Sequence, residues 1–186
     1  SMSKLVLLLS LLMGMSVFRT CAQNNVVSTT KGEITFFSSA PLEDIDAKNN
    51  RVISMLNTQS LEVMVRVPIN QFEFQNKLMQ QHFNENYLES DRYPYATFKG
   101  KMSPAIDFSK DGVYDVSAVG VLSLHGVDQK RTLTGKLSVN KGELKLETRF
   151  NIALADHKID IPRLVFNKIA ERIAVHATLN YLPFKN

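Results

Sequence analysis

The chain has 186 residues, 44% of them hydrophobic, and its 22 Lys and Arg against 18 Asp and Glu give a formal charge of +4. That length suits one domain with a sizeable core. So slight a basic excess argues against a nucleic-acid-binding face, which would call for a concentrated basic stripe, and a single cysteine, Cys21, excludes an intramolecular disulfide.

Lys4 followed by an apolar run over residues 5–18 reads as the leader of an exported protein. The run is shorter than the roughly 20 residues a membrane-spanning helix needs, and no second run follows it. Thr20 and Ala22 place small residues at the −3 and −1 positions of a cut after Ala22, so residues 1–22 form a signal peptide. The mature protein is then periplasmic or secreted. Acylation of Cys21 is the rival reading; small residues should precede a lipidated cysteine, and Arg19-Thr20 fit that poorly. Ser1 ahead of Met2 reads as a residue added for expression.

Residues 23–32 read as a polar tether and residues 33–186 as the folded domain. The first strand spans 33–39, with Ile34, Phe36 and Ser38 on one face, and Pro41 ends it because it has no N–H for a ladder. Residues 42–50 read as a turn-rich connection. Residues 51–57 and 60–67 form a hairpin in which Leu61, Val63, Val65 and Val67 oppose Glu62, Met64 and Arg66. Residues 74–88 are the only good helix candidate after the leader, with Phe74, Leu78, Met79 and Phe83 as an apolar stripe that would cover one end of the sheet. A strand follows at 96–102.

The long hairpin over 113–139 organises the rest. Val116, Ala118, Gly120, Leu122 and Leu124 share one face of its first arm, and Leu133, Gly135, Leu137 and Val139 one face of its second. A period of two marks half-buried strands, and Gly126 is free to take positive φ at the reversal. Residues 143–150 alternate in the same way. After an irregular stretch at 154–167, so does the final strand, with Ile173, Val175, Ala177, Leu179 and Tyr181 on one side. Some eight strands joined mostly by short turns, without alternating helices, give an all-β antiparallel sheet. Such a sheet closes on itself because closure removes its edges. The expectation is an eight-stranded β-barrel, wide enough inside to be filled by side chains or to hold one small ligand.

Residues 90–100 (SDRYPYATFKG) resemble the "yP-x-atF" segment of the YceI-like family of exported bacterial proteins. Residues 120–133 (GVLSLHGVDQKRTL) are similar to that family's "G-x-Ltl-x-Gv-t-k-pvtl" hairpin. The resemblance covers roughly residues 30–182. It implies an extended lipocalin-like barrel holding a polyisoprenoid or another long amphiphilic lipid, such as an isoprenoid quinone. The chain departs from the pattern at 39–44, which lack the usual glycine-bearing turn, at Arg131, which stands where proline is usual, and in the tail at 156–165.

Reactive groups are sparse. His82, His125, His157 and His176 form no HxH, HExxH or i, i+4 pair. His82 and Glu85 lie one helical turn apart, which a solvated helix face explains. With no cysteine after Ala22 and no G-x-S-x-G elbow, no catalytic or metal residue is assigned, and the protein reads as a binder, not an enzyme. The candidates for lining a lumen are Phe36, Ile53, Val63, Val65, Phe98, Met102, Val116, Leu122, Leu133, Leu137, Leu144, Leu146, Ile173, Val175 and Leu179. The bland account of the same residues is a packed core, stabilised at roughly 25 cal/mol per Å² buried. Asn180, Thr134 or Arg131 could meet a polar head at a barrel mouth. The expected partner is a hydrophobic small molecule or lipid, with no other cofactor, and a homodimer stays open. The rival function is a filled barrel acting as an envelope protein-interaction or stress-response module.

Overall fold

The computed structural model describes residues 24–165 and 167–183; the leader, with its cut after Ala22, lies outside the described residues. Alternating side chains carry the chain into strands β1 (Val26–Ser39), β2 (Asp44–Asn57), β3 (Glu62–Pro68), β4 (Glu73–Phe74) and β5 (Tyr95–Ser103). Strands β6 (Gly112–Leu124), β7 (Val127–Asn140), β8 (Glu143–Ala153) and β9 (Arg172–Pro183) follow. Every pairing is antiparallel, and β1 pairs with both β2 and β9. The circuit β1-β2-β3-β5-β6-β7-β8-β9 therefore closes as an eight-stranded barrel. The two-residue β4 stands outside it, paired to β2 through Ala47 and Lys48.

Two stretches differ from the sequence reading. Residues 26–32 are strand rather than tether: Val26, Val27 and Thr29 are β-branched, and the segment pairs with the C-terminal half of β2 from Val26↔Asn57 onward. Residues 44–50 are strand rather than connection. Buried Ile45, Ala47 and Asn49 alternate with exposed Asp44, Asp46 and Lys48, a period of two hidden by a charged and amide-rich composition.

The β1–β2 ladder also corrects Ile53. Its register runs Thr29↔Ser54, Gly32↔Val52 and Ile34↔Asn49, so each strand gains one residue on the other in turn. These compensating bulges flip the inward face from odd to even numbers on both strands. Val52 and Ser54 are fully buried as a result. Ile53 lies between them on the opposite, outer face and is half-buried.

The β6–β7 ladder is unbroken from Gly112↔Val139 to Leu124↔Val127. His125 (φ 53°) and Gly126 (φ 70°) form its two-residue turn, the positive-φ pair that suits the twist of a hairpin. The predicted helix is shorter than expected. Phe74 belongs to β4, Asn76 caps the start by accepting from the Met79 N–H, and α1 spans Lys77–His82. A π-helical turn, Phe83–Tyr87, extends it. Glu89, at φ 48°, turns the chain away. Among the described residues no helix is long and apolar enough to cross a membrane.

At Gly120, β5 and β6 approach so closely that a Cβ would run into the Lys99 carbonyl and lie 2.6 Å from the Gly100 Cα. Backbone cannot yield as a flexible side chain does. Gly120→Ala is therefore expected to lower unfolding stability by about 2 kcal/mol, read from urea denaturation midpoints; an unchanged midpoint would mean that the strands separate there without cost.

Candidate ligand-binding lumen

The inward faces of the strands meet in one hydrophobic core. The floor is closed by Leu56 and Leu137, both with 0% exposure, together with Leu61, Val139, Leu144 and Tyr181. Ser54 donates from Oγ to the Met64 carbonyl at 2.8 Å, which leaves the Tyr181 hydroxyl to donate to that Oγ at 2.7 Å. This buried polar pair joins β2, β3 and β9 below the lumen.

Above the floor lie two adjoining voids of about 150 Å³ and about 90 Å³. Ile34, Val67, Ala96, Leu122 and Phe150 border both, so the two are compartments of one lumen. The upper wall is apolar apart from Ser38 and Tyr87. The Ser38 hydroxyl is already occupied, accepting from the Ala170 N–H at 2.9 Å. A void of about 150 Å³ lined by Leu, Ile and Phe stays dry and accepts benzene or xenon. The upper compartment is of that size and chemistry.

The roof is a cluster of four phenylalanines. Phe83, on the π-helical turn, packs against Phe36 of β1 at a centroid distance of 5.5 Å, Phe72 at 5.7 Å and Phe74 of β4 at 5.0 Å. All four border the upper compartment. A latch holds this roof to the barrel. His125 Nε2 donates to Glu89 Oε2 at 2.6 Å and Nδ1 lies 2.9 Å from the His157 carbonyl, so acceptors face both ring nitrogens. His157 is buried, and its Nδ1 donates to the Val127 carbonyl at 3.0 Å.

Twelve of the fifteen sequence candidates border the lumen. Phe36, Ile173 and Val175 line the upper part, Leu122 both, and Val63, Val65, Phe98, Met102, Val116, Leu133, Leu146 and Leu179 the lower. Leu137 and Leu144 are packed into the floor, below the free space. Ile53 faces outward. Of the polar candidates, Asn180 is exposed between the inward-facing Leu179 and Tyr181, so it lies on the outer face. Thr134 and Arg131 stand on β7 beside β8. The sequence reading missed Phe72, Leu88, Ile159 and Ile169, which reach the lumen from connections where no period of two exists to reveal them. It also missed Ile45, which lies in the stretch that reads as a turn-rich connection. Outside the barrel, His176 pairs with Glu147 at 3.0 Å, and that hydrogen bond holds the Glu147 carboxyl below its ordinary value.

A profile of the YceI-like domain matches residues 15–181. The chain belongs to the YceI-like family. Among solved structures, its barrel is similar to a polyisoprenoid binding domain from Saccharophagus degradans implicated in plant cell wall breakdown, with a TM-score of 0.70 at 17% identity over 86% of this chain and 98% of that one. It is similar also to Burkholderia cenocepacia BcnA, with a TM-score of 0.68 at 13% identity over 82% and 97% of the two chains. The Campylobacter jejuni YceI protein gives a TM-score of 0.55 at 16% identity over 85% and 86%. At such identities the likeness is one of fold. A comparison with curated proteins finds none that matches in sequence.

The floor of this YceI-like barrel yields a prediction with an asymmetry. Ser54→Ala strands the buried Tyr181 hydroxyl and is expected to cost about 2 kcal/mol. Tyr181→Phe leaves Ser54 bonded to Met64 and is expected to cost about half that. Burial also pushes the Tyr181 phenol above its ordinary value. A phenol raised only in the fold contributes stability that is fully present below about pH 10 and lost as the pH rises beyond it. Tyr181→Phe should therefore flatten the alkaline fall in stability, as measured by urea midpoints between about pH 9 and pH 11; an equally steep fall in both proteins would assign it elsewhere.

Proposed function

We propose that this protein is an exported lipid carrier that holds a polyisoprenoid, or another long amphiphilic apolar chain, in the barrel lumen. The observation that carries the reading is the lumen itself: two adjoining, almost wholly apolar compartments, with a polar-pinned floor below and an aromatic roof above. Apolar surface of this kind gains free energy from any hydrocarbon that replaces water or empty space. The description of the Saccharophagus degradans protein as polyisoprenoid binding, on the same fold, supports the choice of ligand class.

The compartments are small beside a long isoprenoid. A short apolar segment fits the present volume, and a longer chain needs the Phe83 roof to lift away from Phe36. The roof is suited to that, because it is attached by side chains and the Glu89–His125 latch rather than by a long ladder. Binding, rather than catalysis, is the role we infer; burial is the chemistry the lumen offers. Export rests on the leader at residues 1–22, which would place the mature barrel in the periplasm or outside the cell, for storage or transport of its lipid.

Ala96 borders both compartments, so Ala96→Phe should fill the lumen. Mass spectrometry of organic extracts from the exported protein is expected to find stoichiometric isoprenoid or fatty lipid, and Ala96→Phe to lose it with its melting temperature kept. Lipid retained by Ala96→Phe, or no lipid and no uptake of isoprenoid quinones by the native protein, would favour the filled barrel working through its surface.

A further inference from the structure

The barrel wall is not uniformly bonded. Strand β7 is laddered to β6 along its whole length, and β8 to β9 from Leu144↔Tyr181 to Ala153↔Arg172. Between β7 and β8 the ladder runs only from Asn140↔Glu143 to Gly135↔Thr148. Beyond Gly135 the two strands continue as residues 127–134 and 149–153 with no backbone pairing between them. Side chains close the slit instead. Thr148 Oγ1 donates to the Thr134 carbonyl at 2.7 Å, Arg131 Nη2 to the Asn151 carbonyl at 2.8 Å, and Gln129 Nε2 to the Asp156 carbonyl at 2.7 Å.

The slit opens on the lumen. Phe150 borders both compartments, and Thr134, Gly135 and Thr148 border the lower one. Arg131 lies over the Phe150 ring, 5.5 Å from its centroid. Its fork is spent on one neutral carbonyl, and among the described residues it pairs with no carboxylate. A guanidinium lying over Phe150, a residue that lines the apolar cavity, and with donors to spare, is matched by a phosphate or carboxylate in bidentate contact.

We propose that the β7–β8 slit is a lateral portal in which Arg131 receives the anionic head of an amphiphile whose hydrocarbon tail lies in the lumen. The inference rests on the lumenal reading above and adds to it the ligand class, isoprenyl phosphates or carboxylates in preference to neutral isoprenoids. It also adds a way in at the side of the barrel, separate from the roof. Opening the slit breaks side-chain hydrogen bonds and no ladder. Swinging Arg131 from the Asn151 carbonyl to the incoming anion exchanges a neutral acceptor for a charged one.

Calorimetric titration of the full-length, delipidated protein with geranylgeranyl phosphate and with geranylgeraniol separates the two levels of the argument. The native protein is expected to bind both, the phosphate roughly tenfold or more tightly. Arg131→Gln should bind the alcohol unchanged and the phosphate no better than the alcohol. Arg131→Lys, which keeps the charge without the fork, should fall between. Inorganic phosphate alone should neither bind nor compete. Alcohol bound with no preference for the phosphate, a preference surviving in Arg131→Gln, or equal loss of both ligands in that variant would each overturn the portal and leave the lumen standing. Competition by inorganic phosphate at matched concentration would overturn the tail-in-lumen arrangement. Binding of neither ligand would overturn portal and lumen together.

Discussion

Closure is the constraint on which the rest depends. Because β1 bonds to β9 on one side and β2 on the other, the number of strands, and with it the width of the interior, is fixed. Every second residue must then face a space that backbone cannot fill. The chain fills the lower end with Leu56, Leu137 and Tyr181 and leaves the middle under-filled. It covers the top with four phenylalanines drawn from three segments. The lumen is what remains when a ring of fixed circumference is lined with side chains of this size.

The ends of the barrel differ in what they would lose on opening. The floor holds a buried hydroxyl pair whose separation would leave donors and acceptors without water, a cost of a few kcal/mol in a dry interior. The roof holds aromatic contacts, which can be exchanged for contacts with a hydrocarbon at little loss. Rigidity below and exchangeability above follow from polar pairing in one place and dispersion in the other. No difference in secondary structure is required.

Much of this was legible in the sequence. The faces of β6 through β9 and most lumen residues were readable because alternation runs unbroken in those strands, and Phe83 was readable as part of the cover. The helical stripe that joined it to Phe74 and Leu78 does not hold, because Phe74 stands on β4 and Leu78 is exposed. What alternation could not show is where it changes phase. The bulges around Gly32 and Val52 flip the inward face, which is why Ile53 was assigned to the lumen and faces out. Ile45 and Ala47 were hidden by Asp44 and Asp46 beside them. Leu137 and Leu144 were placed on the correct face, but alternation gives no depth along the barrel axis, so floor and lumen looked alike. The parting of β7 from β8 leaves no mark either, since each strand keeps its own period beside its other neighbour.

That parting has a cost of another kind. A closed barrel is protected from strand-to-strand aggregation because it offers no free backbone edge. Here residues 127–134 and 149–153 restore two short edges facing each other across the slit. Lys130 and Arg131 on one and Arg149 on the other put positive charge where a foreign strand would have to align. Arg131, which stitches the slit, thus also acts as a gatekeeper beside Lys130 and Arg149, and this flank is where the barrel is closest to accepting a strand that is not its own.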